Sequence, residues 1–264
     1  MPNTLTGQLR PATAITLPGA RRSSEPAQST ALDTVLVATD GSMCAERALR
    51  IGTDLAERAS CELHVYHSEG VEPSATHRAH VCRTGARPGD ELVSGMTSRS
   101  LLVLGAHGRR TSASLGLGSL AAAMVCRTPT AAIVVGGVET ARHGVITVGI
   151  GDGDPKPLLR WACLLAGLTS SRLTLLHAVP TSRPVDRDHG TRVLAEAFRT
   201  LRSLSPAIVA KAQLHSGYAH EAMAQCRDSD LLVLGPGECW DGRPGQVTLA
   251  GLHHAPCPVV VARA

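Results

Sequence analysis

The pentapeptide Leu-Leu-Val-Leu-Gly occurs twice, at 101–105 and at 231–235. It belongs to a longer repeat. Sliding 35–67 by 110 positions onto 145–177 without a gap gives nine identities in thirty-three positions, among them Leu49/Leu159, Arg50/Arg160, Leu55/Leu165, Ala56/Ala166 and His67/His177. Pro129 before one apolar run is matched by Pro256, and Ile133-Val134-Val135 by Val259-Val260-Val261. An internal duplication explains 264 residues better than one large domain does. The expected layout is a flexible tail over 1–32, one copy over 33–137, a linker from Gly136 to Gly144, and a second copy over 144–264.

Each copy reads as alternating strand and helix. Thr34–Thr39 is a continuous apolar strand candidate, followed by Asp40-Gly41-Ser42, a turn that also supplies capping side chains. Across 45–59, Ala45, Ala48, Leu49, Gly52, Leu55, Ala56 and Ala59 recur at three- and four-residue spacing, one stripe facing a sheet. Strands are expected at 63–67, 79–83, 101–105 and 131–135, and helices at 87–97 and 119–126. Such runs predict a parallel sheet covered on both faces. Between its second and third strands the second copy has about thirty residues, with a helix expected near 191–204. The first copy has about eleven, too few for a comfortable crossover helix, so that helix is expected to be lost.

Composition excludes several classes. Hydrophobic residues make up 43% and charged residues 18%, which fits a folded α/β chain better than a disordered one. The formal charge of +4 is spread along the chain, without a dense basic face interleaved with rings, so no specific nucleic-acid partner is expected. The mid-chain apolar run Trp161–Leu168 is far short of the ~20 residues that span a membrane. Residues 1–30 hold no apolar stretch of signal-peptide length, so a cytoplasmic location is expected. Eight cysteines without a CxxC pair read as reduced thiols, and Cys82, Cys126 and Cys163 as small core residues.

In an open parallel sheet, ligands sit beyond the carboxyl ends of the strands. Three segments of the first copy arrive there: 38–40, 105–108 and 116–119. Glycines let backbone amides approach an anion, and Ser119 heads a helix whose first amides point outward. There is no GxxxxGK, so this is not a Walker loop. Asp40 either caps its turn or meets ribose hydroxyls and a phosphate-bound Mg²⁺. Arg109 and Arg110 either reach a terminal phosphate or stay in solvent. His107 lies inside the cradle. His64 and His67 fall on opposite faces of a strand, and His253, His254 and Cys257 lack a fourth ligand, so no metal site is expected.

Gly105-x2-Gly108-x9-Gly118-Ser119, with an acid at the end of the first strand and Arg127-Thr128-Pro129 before a Val-rich last strand, resembles the universal stress protein family. The resemblance covers about 33–137, and a degraded copy about 144–263. It implies an open five-stranded parallel sheet of order 3-2-1-4-5, Rossmann-like and duplicated in tandem, with the two domains set face to face or the chain dimerised. It also implies ATP, with Mg²⁺, held by Ala38, Asp40 and the backbone around Ser68 at the nucleoside. Leu104, Gly105, Gly108, Gly118, Ser119 and Leu120 would hold the ribose and phosphates.

The second copy departs from this pattern. Ile150 stands where Asp40 does, Pro236 has no amide hydrogen, Glu238 replaces Gly108, and Gly245-Gln246 replaces Gly118-Ser119. That crevice is expected to bind no ATP, and Asp152-Gly153-Asp154 either forms a solvated turn or holds a cation. No catalytic set is assembled by the sequence. The expectation is an ATP-binding regulatory stress-response protein with at most slow hydrolysis and unknown protein partners. The alternative is an interaction module with two vestigial sites.

Overall fold

A computed structural model describes residues 31–68, 70–71, 79–85, 87–109, 117–136, 142–180, 183–241 and 243–263, together with the backbone of 13–15. The expected loss of a helix over 68–78 falls largely on residues outside this set, as do most of the tail and the loop 110–116.

The elements in chain order are β1 (Thr13–Ile15), β2 (Thr34–Thr39), α1 (Met43–Ala59), β3 (Glu62–His67), β4 (Ala79–Arg83), α2 (Pro88–Ser94), β5 (Ser100–Gly105), α3 (Ser119–Arg127) and β6 (Ala131–Val135). They continue with β7 (Val145–Gly149), α4 (Lys156–Thr169), β8 (Arg172–Val179), α5 (Pro184–Leu204), β9 (Ala210–Ser216), α6 (Ala219–Ala224), β10 (Leu231–Leu234), α7 (Gln246–His254) and β11 (Val259–Ala262).

In the first copy the strands lie in the order β4-β3-β2-β5-β6, and in the second β9-β8-β7-β10-β11; both are 3-2-1-4-5, and all pairs within a copy are parallel. The fold is therefore a duplicated, open Rossmann-like sheet. The copies do not stack face to face. They join edge to edge, β11 against β6, antiparallel, with Ile133 opposite Val260 and Val134 opposite Val259. Strands that carry apolar residues at every position are suited to this seam, because both faces and the edge are buried there. At the outer edge of the second copy β1 pairs antiparallel with β9, so part of the N-terminal segment is a strand rather than a tail.

Two core layers follow from the two faces. Residues of α1, α4 and α5 pack on one face with Val37, Val103, Val148 and Val233, and residues of α2, α3 and α6 on the other with Leu36, Leu102 and Leu232. Each layer runs across the seam. Local signals set the helix ends: the Ser42 side chain accepts from the Ala45 amide at the start of α1, and Ser60 closes it in a left-handed conformation. In α4, Gly167 is exposed and a Cβ there would meet nothing within 4 Å. Gly167→Ala is expected to stabilise the protein by roughly 0.5–1 kcal/mol, read as a higher urea midpoint; a lower midpoint contradicts the open surface described.

Candidate functional site

The candidate site of the first copy is assembled at the carboxyl end of β2 and β5. The Asp40 carboxylate accepts from the Ser42 amide through Oδ1 at 3.0 Å and from the Arg109 amide through Oδ2 at 2.7 Å. A Cβ on Gly108 would fall 2.6 Å from Asp40 Oδ2, so that position has room only for glycine while the contact stands. Ser42 Oγ donates to the His107 carbonyl at 3.1 Å while also receiving the Ala45 amide. The turn after β2 is thus stitched to the loop after β5 by two residues. Burial pushes the Asp40 carboxyl up, but hydrogen bonds from Ser42 and from the Arg109 amide outweigh it, and the group lies below its ordinary value. It is ionised at neutral pH.

Gly118 closes the other side. Its amide donates to the Ala106 carbonyl at 2.8 Å, which brings the start of α3 against the loop after β5. No side chain caps this helix, and Ser119 at its first turn is exposed. The amides of the first turn lack helical partners, as at any helix N-terminus, and carry the positive end of the helix dipole. His107 Nδ1 is buried without a hydrogen-bond partner among the described residues.

The remaining expected residues divide by what their side chains touch. Ala38 is half-buried at the end of β2. The Ser68 amide donates to Thr39 O, and Ser68 O receives the Val71 amide. Leu104 is 2% exposed and belongs to the core layer beneath α2 and α3, and the partly buried Leu120 packs against the same layer; the Leu104 side chain is therefore taken up by the core. Gly105 is required by packing: a Cβ there would lie 2.8 Å from the Ala45 amide nitrogen and 2.9 Å from Cys44. Sequence reasoning missed Ser42 as a cross-link to His107, and Val71, whose buried side chain lies over Gly41. Only the capping role of Ser42 was written locally.

The second copy keeps the backbone bracket and changes the chemistry. The Gly245 amide donates to Pro236 O as Gly118 does to Ala106 O. Ile150 is 5% exposed and packs in the core, so no carboxylate stands at the Asp40 position. Between the ends of β7, β8 and β10 lies a cavity of about 470 Å³, walled largely by Leu158, Leu176, Met223, Leu234 and Val247.

Among the described residues, two clusters of metal-capable side chains occur, Glu62/His64/His80 and Asp152/His177/His189; His253, His254 and Cys257 form none. The first follows from the ladder, since His64 and His80 are register partners on β3 and β4. All eight cysteines are free, and burial pushes the Cys257 thiol up to about 12 and the Cys226 thiol to about 11, so these two are protonated core residues. No helix among the described residues is long and apolar enough to cross a membrane.

No protein-family model matches the sequence, and no curated protein matches it. Solved structures do. A universal stress protein from Archaeoglobus fulgidus superposes with a TM-score of 0.61 at 15% identity, covering 88% of this chain and 96% of that one. A functionally unknown protein from Pseudomonas aeruginosa superposes at 0.62 and 17% identity, covering 88% and 93%. The cytoplasmic domain of a prokaryotic cation chloride cotransporter superposes at 0.56 and 13% identity, covering 88% and 95%. The chain has the universal stress protein fold in its duplicated form. The cotransporter domain marks how little that fold alone says about activity.

Proposed function

We propose that the first copy holds an adenine nucleotide, ATP with Mg²⁺, and that the chain is a regulator reporting occupancy rather than an enzyme. One observation carries this reading: the Arg109–Asp40 and Gly118–Ala106 hydrogen bonds gather an ionised carboxylate, a glycine-bearing loop and an uncapped helix N-terminus at one end of the sheet. An anion is favoured by the free first-turn amides and by the Ser119 hydroxyl. The lone pairs Asp40 keeps beyond its two amide bonds suit ribose hydroxyls. Mg²⁺ is held in such sites by one or two carboxylates beside phosphate oxygens, and Asp40 fits that donor role.

The nucleoside end would lie against the backbones of Ala38 and Ser68. Phosphates would meet Gly108, Gly118 and Ser119, with the Leu104, Gly105 and Leu120 backbones behind them. Occupancy would draw the loops after β2 and β5 together, and that is the step a protein partner could read. With Ile150 at the acid's position, the second copy takes no ATP in this reading. A second reading has an observation of its own: both Asp40 oxygens already accept amides, as a purely structural clamp would. In that case the site is vestigial and the chain is an interaction module.

Calorimetric titration with MgATP separates the two. The expected result is one site per chain, weakened at least about tenfold in Asp40→Ala, the loss of one charged or polar contact, and abolished in Gly118→Glu. A parent protein that gives no heat, or three proteins that bind alike, leaves the interaction-module reading.

A further inference from the structure

The crevice of the second copy carries an arrangement without a counterpart among the described residues of the first. One donor atom from each of Asp152, His177 and His189 lies within 4.8 Å of the other two. The three come from separate elements: the loop after β7, strand β8 and helix α5. Asp152 and His177 also line the 470 Å³ cavity.

His177 is 7% exposed, and its Nδ1 lies 2.7 Å from the Ile150 carbonyl. A carbonyl only accepts, so Nδ1 carries the hydrogen and the lone pair of the neutral ring sits on Nε2. That is the state a metal-ligating histidine adopts, with its other ring nitrogen donating to a backbone carbonyl. Ile150, which removed the acid, supplies through its main chain the contact that orients the imidazole.

The approach of α5 is equally specific. A Cβ on Gly190 would fall 2.6 Å from Leu214, 2.8 Å from Val179 and 2.9 Å from Cδ2 of His177, the ring carbon next to Nε2. Only glycine lets the helix lie this close to β8. The preceding residue, His189, is thereby brought beside His177, with ring centroids 6.3 Å apart, and its Nε2 lies 2.8 Å from Asp152 Oδ1.

We infer that Asp152, His177 and His189 form a binding site for a first-row divalent cation of the Zn²⁺ class, with one coordination position left open toward the crevice. Two imidazoles and a carboxylate suit Zn²⁺ and its neighbours and are wrong for Ca²⁺ or Mg²⁺, which take oxygen ligands. Metal–ligand bonds of about 2.0–2.1 Å in tetrahedral geometry set donor atoms about 3.3 Å apart. The Asp152–His189 pair is already that close, and small rotations of these two exposed side chains bring both to the buried His177. Three protein ligands with a fourth position free is the pattern of a site that takes an exchangeable ligand. By the 110-residue offset, Ser42 stands in the first copy where Asp152 does here, and α5 has no equivalent among the described residues there. The inference does not depend on nucleotide binding by the first copy.

The test uses the full chain, stripped with a chelator and free of nucleotide, titrated with Zn²⁺ against a chromophoric competitor and separately with Co²⁺. One equivalent of Zn²⁺ is expected to bind. His189→Ala and Asp152→Ala, both at exposed positions, are each expected to weaken it at least about tenfold while circular dichroism stays that of the parent. The double variant His64→Ala/His80→Ala should bind as the parent does, and the Co²⁺ form should lack the near-ultraviolet charge-transfer band of thiolate ligation. Parent-like affinity in both His189→Ala and Asp152→Ala overturns the assignment. So does loss of binding in the His64/His80 variant, or a thiolate band.

Discussion

Val260→Asp is expected to lower the stability of the whole chain by about 4 kcal/mol or more. Val260 is fully buried on β11, opposite Ile133 of β6, at the seam between the copies. Its replacement removes an apolar side chain worth roughly 1.5–3 kcal/mol of burial and places a carboxylate in an apolar core layer, which costs several kcal/mol more. Since a native domain holds only about 5–15 kcal/mol in total, the urea midpoint should fall by a molar unit or so. Both core layers cross the seam, so the loss should reach both halves in one transition. Val209→Asp, at a valine that is 70% exposed, should change stability by less than about 0.5 kcal/mol. A Val260→Asp protein that keeps its midpoint, or loses only one of two separate transitions, would refute the continuous sheet.

Gly105→Val should be nearly as damaging, for a different reason. The new Cβ would meet the backbone of Cys44 and Ala45 at under 3 Å, and backbone at the start of a helix cannot swing aside as a side-chain tip can. Overpacking of this kind costs about 3 kcal/mol, or about 6–12 °C in Tm for a chain of this size. Relief requires α1 to retreat, and α1 is capped by Ser42, which holds both Asp40 and His107. The MgATP binding proposed for the first copy should then be weakened along with the stability. Gly136→Val, at the end of β6, meets nothing within 4 Å and should leave the melting temperature unchanged. If Gly105→Val melts as the parent does, the close approach of β5 to α1 is wrong.

Much of this was legible in the residues. The apolar runs 34–39, 101–105 and 131–135 and the stripe 45–59 mark elements whose ends fall within a residue or two of those observed, because periodicity and capping are local. The strand order was implied by the family resemblance, and the duplication extended it to the second copy. Other features were not written locally. Helix α5 begins at Pro184 rather than near 191, since its first turns are polar and Gly190 reads as a breaker when its real role is to let β8 approach. Strand β1 has three residues and its partner is about 200 positions away. The antiparallel seam joins two strands that each look like any buried strand. At the candidate site, the acid, the glycines and the serine were readable from spacing. The hydrogen bond from Ser42 to His107 and the meeting of Asp152, His177 and His189 depend on how distant elements pack.

The antiparallel joint has a geometric corollary. Because β6 and β11 run in opposite senses within one sheet, the carboxyl ends of the five strands of one copy lie on the opposite rim from those of the five strands of the other. The candidate site of the first copy and the cavity of the second therefore lie at opposite rims of the sheet. Occupants of the two mouths never meet, and any influence of one on the other must be conducted through the stiff lattice of β5, β6, β11 and β10 rather than by contact. Two partners that each docked at one of these ends would be held on opposite sides of the same slab.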